Sequence, residues 1–109
     1  MAIGYDWNSR TVQGISLVNT LIQGAGTVGT SAIPLSSTAR DIKWVVVGAD
    51  DDNSGDIYVG SSTVANSGSN RGLRLGPGRT VTIPVDDLSD VYLIGSAAAQ
   101  TYEYLAGVA

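Results

Sequence analysis

From Gly55 to Leu105 the chain is written in short runs of Val, Ile, Leu and Tyr, cut at close intervals by Gly, Pro, Asp and Ser. No run in this stretch carries helical spacing, and the pattern is that of a compact antiparallel β unit. Gly76-Pro77-Gly78-Arg79 has Pro second and Gly third, the order in which a type II turn needs a fixed negative φ and then a positive one. That turn links a strand at 73–75 to one at 80–85, where Val81, Ile83 and Val85 share one face and Thr80, Thr82 and Pro84 the other. Asp86-Asp87-Leu88-Ser89 then turns the chain into 91–94, which is apolar on both faces, and Gly95 to Ala99 forms a turn or short bulge. The closing strand sets Tyr102 and Tyr104 on one side, and Thr101, Glu103 and Leu105 on the other.

The first half is less sharply written. Residues 11–23 place Ile15, Leu17 and Leu21 on one face of a strand and Val18 and Ile22 on the other. Positions 17, 18, 21 and 22 also suit a helical face, but Gly14 inside and Gly24 and Gly26 at the end favour a strand. With apolar residues on both faces, one face has to meet something other than water, and an inter-sheet core plus a subunit contact is the simplest arrangement. Residues 24–39 read as loops around a short edge strand at Ile33-Pro34-Leu35, where Pro is tolerated because it need not donate to a ladder. Residues 41–49 read as a buried central strand, with Ile42, Trp44 and Val46 on one face and Lys43, Val45 and Val47 on the other. Ile57-Tyr58-Val59 is a further short strand. After it, residues 61–72 form a long polar connection that either carries recognition or covers a rim.

These elements amount to about seven short strands with turns every 8–12 residues or so, the grammar of a sandwich or barrel. We therefore expect an all-β, single-domain β-sandwich of jelly-roll type over residues 11–109. Residues 1–10 mix Ile3, Tyr5 and Trp7 with Gly, Asp, Asn and Ser, and read either as a short strand or as an N-terminal arm packing on another subunit. A chain of 109 residues buries roughly two thirds of its unfolded surface and needs no metal or disulfide to hold one core.

The composition excludes several chemistries. The chain has neither Cys nor His, which removes disulfides, thiolate nucleophiles, the commonest general base and the commonest metal ligand. Its net charge is −4 and its six basic residues are scattered, whereas nucleic-acid binding draws its affinity from a clustered basic face. The apolar run at 44–49 is far short of the roughly 20 residues that span a bilayer, and no basic-then-apolar signal pattern opens the chain. We expect a soluble protein with no nucleic-acid or membrane partner.

Two clusters invite a site. Asp50, Asp52, Ser54, Gly55 and Asp56 match the opening of a calcium loop, but its twelfth position falls on Ser61, where a bidentate Glu is needed. A solvated turn with little ion affinity is the expectation, with Asp50, Asp52 and Asp56 as weak ligands. Carboxylate pairs, Asp86 with Asp87 or Asp90 with Glu103, are the remaining route to acid–base chemistry on a sugar. Adjacent Asp86 and Asp87 point to opposite faces of an extended segment, so no enzyme is expected, no catalytic residue is assigned and no cofactor is implied. Tyr58, Tyr92, Tyr102 and Tyr104 could instead make an aromatic platform for a glycan, although Tyr is also a common strand residue.

Gly-Asp-Ile-Tyr-Val-Gly, Leu-Arg-Leu-Gly-Pro-Gly, Val-Thr-Ile-Pro-Val-Asp-Asp-Leu-Ser, Val-Tyr-Leu-Ile-Gly-Ser-Ala and Tyr-Glu-Tyr-Leu, in that order over residues 55–105, resemble a small β module of tailed-phage virion proteins, among them capsid decoration (cement) proteins and head fibres. The resemblance implies a β-sandwich that assembles as a homo-oligomer, commonly a trimer, on a phage shell, and a homotrimer is the expectation here. Its partner would be the major capsid protein, its location the capsid surface after synthesis in the host cytoplasm. The other role within the resemblance is a head fibre or receptor-binding module that recognises a host glycan. Oligomer or shell contacts are expected from Tyr5, Trp7, Ile15, Leu17, Val18 and Ile22.

Overall fold

The computed structural model describes residues 20–108. Eight strands follow one another: β1 (Thr20–Val28), β2 (Ile33–Pro34), β3 (Trp44–Ala49), β4 (Ile57–Gly60), β5 (Leu73–Leu75), β6 (Thr80–Ile83), β7 (Tyr92–Gly95) and β8 (Gln100–Val108). They make two four-stranded sheets, ordered β1-β8-β3-β6 and β2-β7-β4-β5, and every pairing is antiparallel. Apart from the β4–β5 hairpin, each strand is followed by one in the other sheet, which is jelly-roll connectivity. Among the described residues there is no α-helix, only a 3₁₀ turn at Leu88–Asp90, and no helix is long and apolar enough to cross a membrane. The all-β sandwich expected from the sequence is therefore the fold observed.

The core follows from period-two patterning. Val45, Val47 and Ala49 on β3 face Ile57 and Val59 on β4, Leu75 on β5 and Leu93 on β7, all buried. Tyr102 and Ala106 of β8 close the same layer, with Val28, Leu35, Ile42, Leu88 and Val91 sealing its ends. Each such Val, Leu or Ile contributes about 1.5–3 kcal/mol relative to an exposed position. The turn at 76–79 forms as expected: Gly78 has φ +78, and the Arg79 amide donates to the Gly76 carbonyl at 3.0 Å. This turn carries the chain from one sheet to the other.

Three readings are corrected. β1 does not stop at residue 23 but runs through Gly24 and Gly26 to Val28. These glycines lie opposite Tyr104 and Tyr102 of β8, whose rings occupy the space a side chain would need: a β-carbon on Gly24 would stand 2.6 Å from Tyr104 Cε2, and one on Gly26 2.9 Å from the Tyr102 hydroxyl. They are strand residues kept small by aromatic neighbours, not strand terminators. The faces of 42–47 also differ. Ile42 lies before the strand and is buried in the core, while Trp44 and Val46 point outward because Val45 and Val47 fill the interior. Finally, β6 ends at Ile83, ahead of Pro84, which has no N–H for the ladder.

Candidate docking face

The outer faces of the two sheets differ. On the second sheet, Tyr58 and Ile94 point away from the main core and are nonetheless buried, because Val64 from the 61–72 connection packs over them with Ala32 and Tyr92 beside it. Asn66 pins that connection by donating from Nδ2 to the Gly95 carbonyl at 3.0 Å. Close approach is built in at Gly72, where a β-carbon would meet Val64 at 2.5 Å. The polar connection thus covers a sheet face.

Among the described residues, nothing covers the outer face of the first sheet. The ladder registers align its side chains in rows across the strands. Leu21, Gly107 and Trp44 make one row, Gln23, Leu105, Val46 and Thr82 the next, and Ala25, Glu103, Gly48 and Thr80 the third. Leu21 is 53% exposed and Leu105 38%, and half-buried Trp44 and Val46 lie beside them. Trp44 takes its place by resting against Gly107, where a β-carbon would fall 2.6 Å from the indole Cε2. The result is an apolar patch at one end of the face, grading through Glu103 into threonines at the other. Contiguous exposed apolar surface of this kind marks an interaction site more often than scattered single residues do.

Of the contact residues expected from the sequence, Tyr5, Trp7, Ile15, Leu17 and Val18 lie outside the described residues. Ile22 lies on the inner face of β1, packed against the core, because Gly24 and Gly26 set the even positions inward. Its neighbour Leu21 is the residue presented to solvent.

The acidic loop is braced rather than open. Asn53 pairs both amide atoms with the Thr101 backbone, donating from Nδ2 to its carbonyl at 2.9 Å and accepting its N–H at 2.8 Å. Gln100, 1% exposed, accepts the Gly55 N–H at 2.8 Å and donates to the Ala98 carbonyl at 2.9 Å and the Ser54 hydroxyl at 3.2 Å. Asp50 Oδ1 takes the Asp52 N–H at 2.9 Å, an Asx turn of the kind Asp favours. The carboxylates of Asp50, Asp51 and Asp52 come within 4.8 Å of one another. Asp56 is not in that group; it faces Arg74 at 3.7 Å. Asp50, Asp52 and Asp56 are therefore not brought together. The bracing of the loop by Thr101 and Gln100 could not be read from spacing, since the bonds that tie Asn53, Ser54 and Gly55 to them span 45 to 48 residues.

The carboxylate pairs do not form a dyad. Asp87 caps the 3₁₀ turn, its Oδ1 accepting from the Ser89 amide (3.0 Å), the Ser89 hydroxyl (2.8 Å) and the Arg40 amide (3.1 Å). Those bonds, the Ser89 amide foremost, hold its carboxyl below the ordinary aspartate value of 3.8. Asp41, Lys43, Asp86 and Asp90 share a shallow cleft with it; Glu103 stands apart on the outer face of the first sheet. The tyrosines are likewise divided. Tyr102 and Tyr104 turn inward over the β1 glycines, and Tyr58 and Tyr92 lie beyond the second sheet under Val64. Burial pushes the Tyr102 phenol upward, with neighbouring Tyr104 adding to the shift.

No family model matches the chain, and no curated protein matches it. Among solved structures, the chain is similar to one from Bacillus endospore appendages, described as a novel family of disulfide-linked pili, at 15% identity, covering 91% of this chain and 100% of that one with a TM-score of 0.42. A likeness at that level transfers no function.

Proposed function

We propose that this protein is a structural component of a phage virion, a capsid decoration or cement protein that binds the major-capsid-protein shell as a homotrimer and stabilises it. The observation that carries the reading is the asymmetry of the two outer faces: one is sealed by the protein's own chain, while the other offers Leu21, Trp44, Val46 and Leu105 together. A small domain with no Cys or His, and with the carboxylates of Asp50 and Asp87 taken up by local backbone bonds, has contact surface as its chief resource. The resemblance of residues 55–105 to a virion module supplies the setting. The host-glycan reading needs an exposed aromatic platform, and of the four tyrosines that would build it Tyr102 and Tyr104 turn inward to the core while Tyr58 and Tyr92 lie apart under Val64.

The test is particle stability. Capsids assembled without the protein are expected to form but to rupture at lower temperature, and added protein restores the threshold. Unchanged rupture with lost adsorption to host cells would replace this role with the receptor-binding one.

A further inference from the structure

A sheet edge exposes unpaired backbone N–H and C=O groups, and proteins ordinarily blunt such edges with charge, proline, a bulge or brevity. Three of the four edges here are blunted. β2 has two residues, one of them Pro34. β5 has three residues with Arg74 at its centre, and β6 has four residues and is stopped by Pro84. β1 is different: nine residues long, at the edge of its sheet, with neither charge nor proline. Its register with β8 advances one for one from Thr20 to Val28, so no bulge bends it away. Among the described residues nothing pairs with its outer edge.

The uncharged character extends beyond the strand. From Thr11 to Ala39 there is no Asp, Glu, Lys or Arg. The segment leading into β1, Thr-Val-Gln-Gly-Ile-Ser-Leu-Val-Asn at 11–19, matches it in length and places Ile15 and Leu17 at alternate positions. Resting on the assembly role above, we propose that the outer edge of β1 is an acceptor for strand addition by residues 11–19 of a second copy. Strand addition takes its affinity from main-chain hydrogen bonds and its specificity from alternate side chains. Ile15 and Leu17, sharing the outer face of the added strand, would occupy adjacent rows and lengthen the apolar patch that Leu21 borders. A second copy is the natural donor because residues 11–19 run straight into Thr20: the same chain would have to spend part of that segment on the turn, whereas a second copy can lay all of it along the edge. Such a contact joins unlike surfaces, and repeated head to tail around a three-fold axis it closes a ring.

The absence of native cysteine makes thiol trapping decisive. Full-length Gln13→Cys protein, substituted on the face that Ile15 and Leu17 share, is mixed, unfolded and refolded with a mass-tagged partner carrying Leu21→Cys, Gln23→Cys, Ala25→Cys or Thr27→Cys, and then oxidised. A disulfide requires β-carbons about 3.5–4.5 Å apart, so only neighbouring strands cross-link. The expected product is a tagged–untagged covalent dimer for at least one β1 position and none for Thr82→Cys, which lies on the opposite edge of the same face. No cross-link at any β1 position overturns the proposal. A doubly substituted chain that closes only on itself at dilution overturns it too. The same preparations are scored for shell binding: attachment without cross-linking rejects strand addition while leaving the decoration role, and cross-linking without attachment does the reverse.

Discussion

Tyr104 and Gly24 stand directly opposite each other in the β1–β8 ladder, and the tyrosine ring fills the space a side chain on Gly24 would take. The same relationship joins Tyr102 to Gly26 and, on the outer face, Trp44 to Gly107. Glycine weakens a strand by leaving the backbone flexible and bare; an aromatic ring laid across it restores contact and shields the ladder from water.

Gly24→Ala and Gly107→Ala separate these pairs by their surroundings. A methyl at Gly24 pushes half-buried Tyr104 on the inner face, where its ring packs against the core, and denaturant titration should show a loss of about 1–3 kcal/mol, the usual cost of overpacking. At Gly107 the displaced ring is Trp44, which can swing toward solvent. There the loss should stay under about 1 kcal/mol, with red-shifted Trp44 emission in a Trp7→Phe background.

Gln100 is the one buried polar residue among the described core positions. Gln100→Leu leaves the Gly55 N–H and the Ala98 carbonyl without their side-chain partner. Gly55 is half-buried and its N–H loses a partner at a cost of about 1–3 kcal/mol, whereas Ala98 is exposed and its carbonyl can turn to water, so a loss of about 1–3 kcal/mol is expected. Hydrogen exchange should show the 50–56 loop opening ahead of the rest.

Asp87 ties stability to pH in one direction. Its folded carboxyl titrates below the ordinary value of 3.8, so its contribution is fully present above that value. It is lost as the pH falls through the folded pKa. Melting temperature measured from pH 6 to pH 2 should hold steady and then fall, and Asp87→Asn, which can still accept the Ser89 and Arg40 amides, should flatten part of the acid limb.

The fold was legible wherever alternation and turn chemistry spoke together, as in the Gly76–Arg79 turn, the Tyr102 and Tyr104 face and the Ile33-Pro34 edge strand. It was illegible where a residue's role was set by a distant partner. Gly24 and Gly26 look like breaks until Tyr104 and Tyr102 are placed across from them. Val64 looks solitary in a polar loop until Tyr58 and Ile94 appear beneath it. The apolar outer face was half legible: apolar residues on both sides of early strands pointed to an uncovered face, but which of Leu21 and Ile22 faces outward depends on a register that the glycines decide.

That register makes the docking face testable against a demanding control. Leu105 sits within the patch, flanked by Gln23 and Val46 in its own row and diagonal to Leu21 and Trp44. Leu105→Lys sets a charge where a partner would have to desolvate it, near the centre of the patch and beside Trp44, where interface energy concentrates. Shell attachment, measured by co-sedimentation with undecorated capsids, should weaken at least about tenfold, roughly 1.4 kcal/mol, while the melting temperature barely moves because the side chain is already partly in water. Leu73→Lys is the comparison: Leu73 is 57% exposed, more than Leu105, but it belongs to β5 at the edge of the other sheet. If exposed leucines act merely as greasy surface, both substitutions weaken attachment alike; if the first sheet's outer face is the docking surface, only Leu105→Lys does.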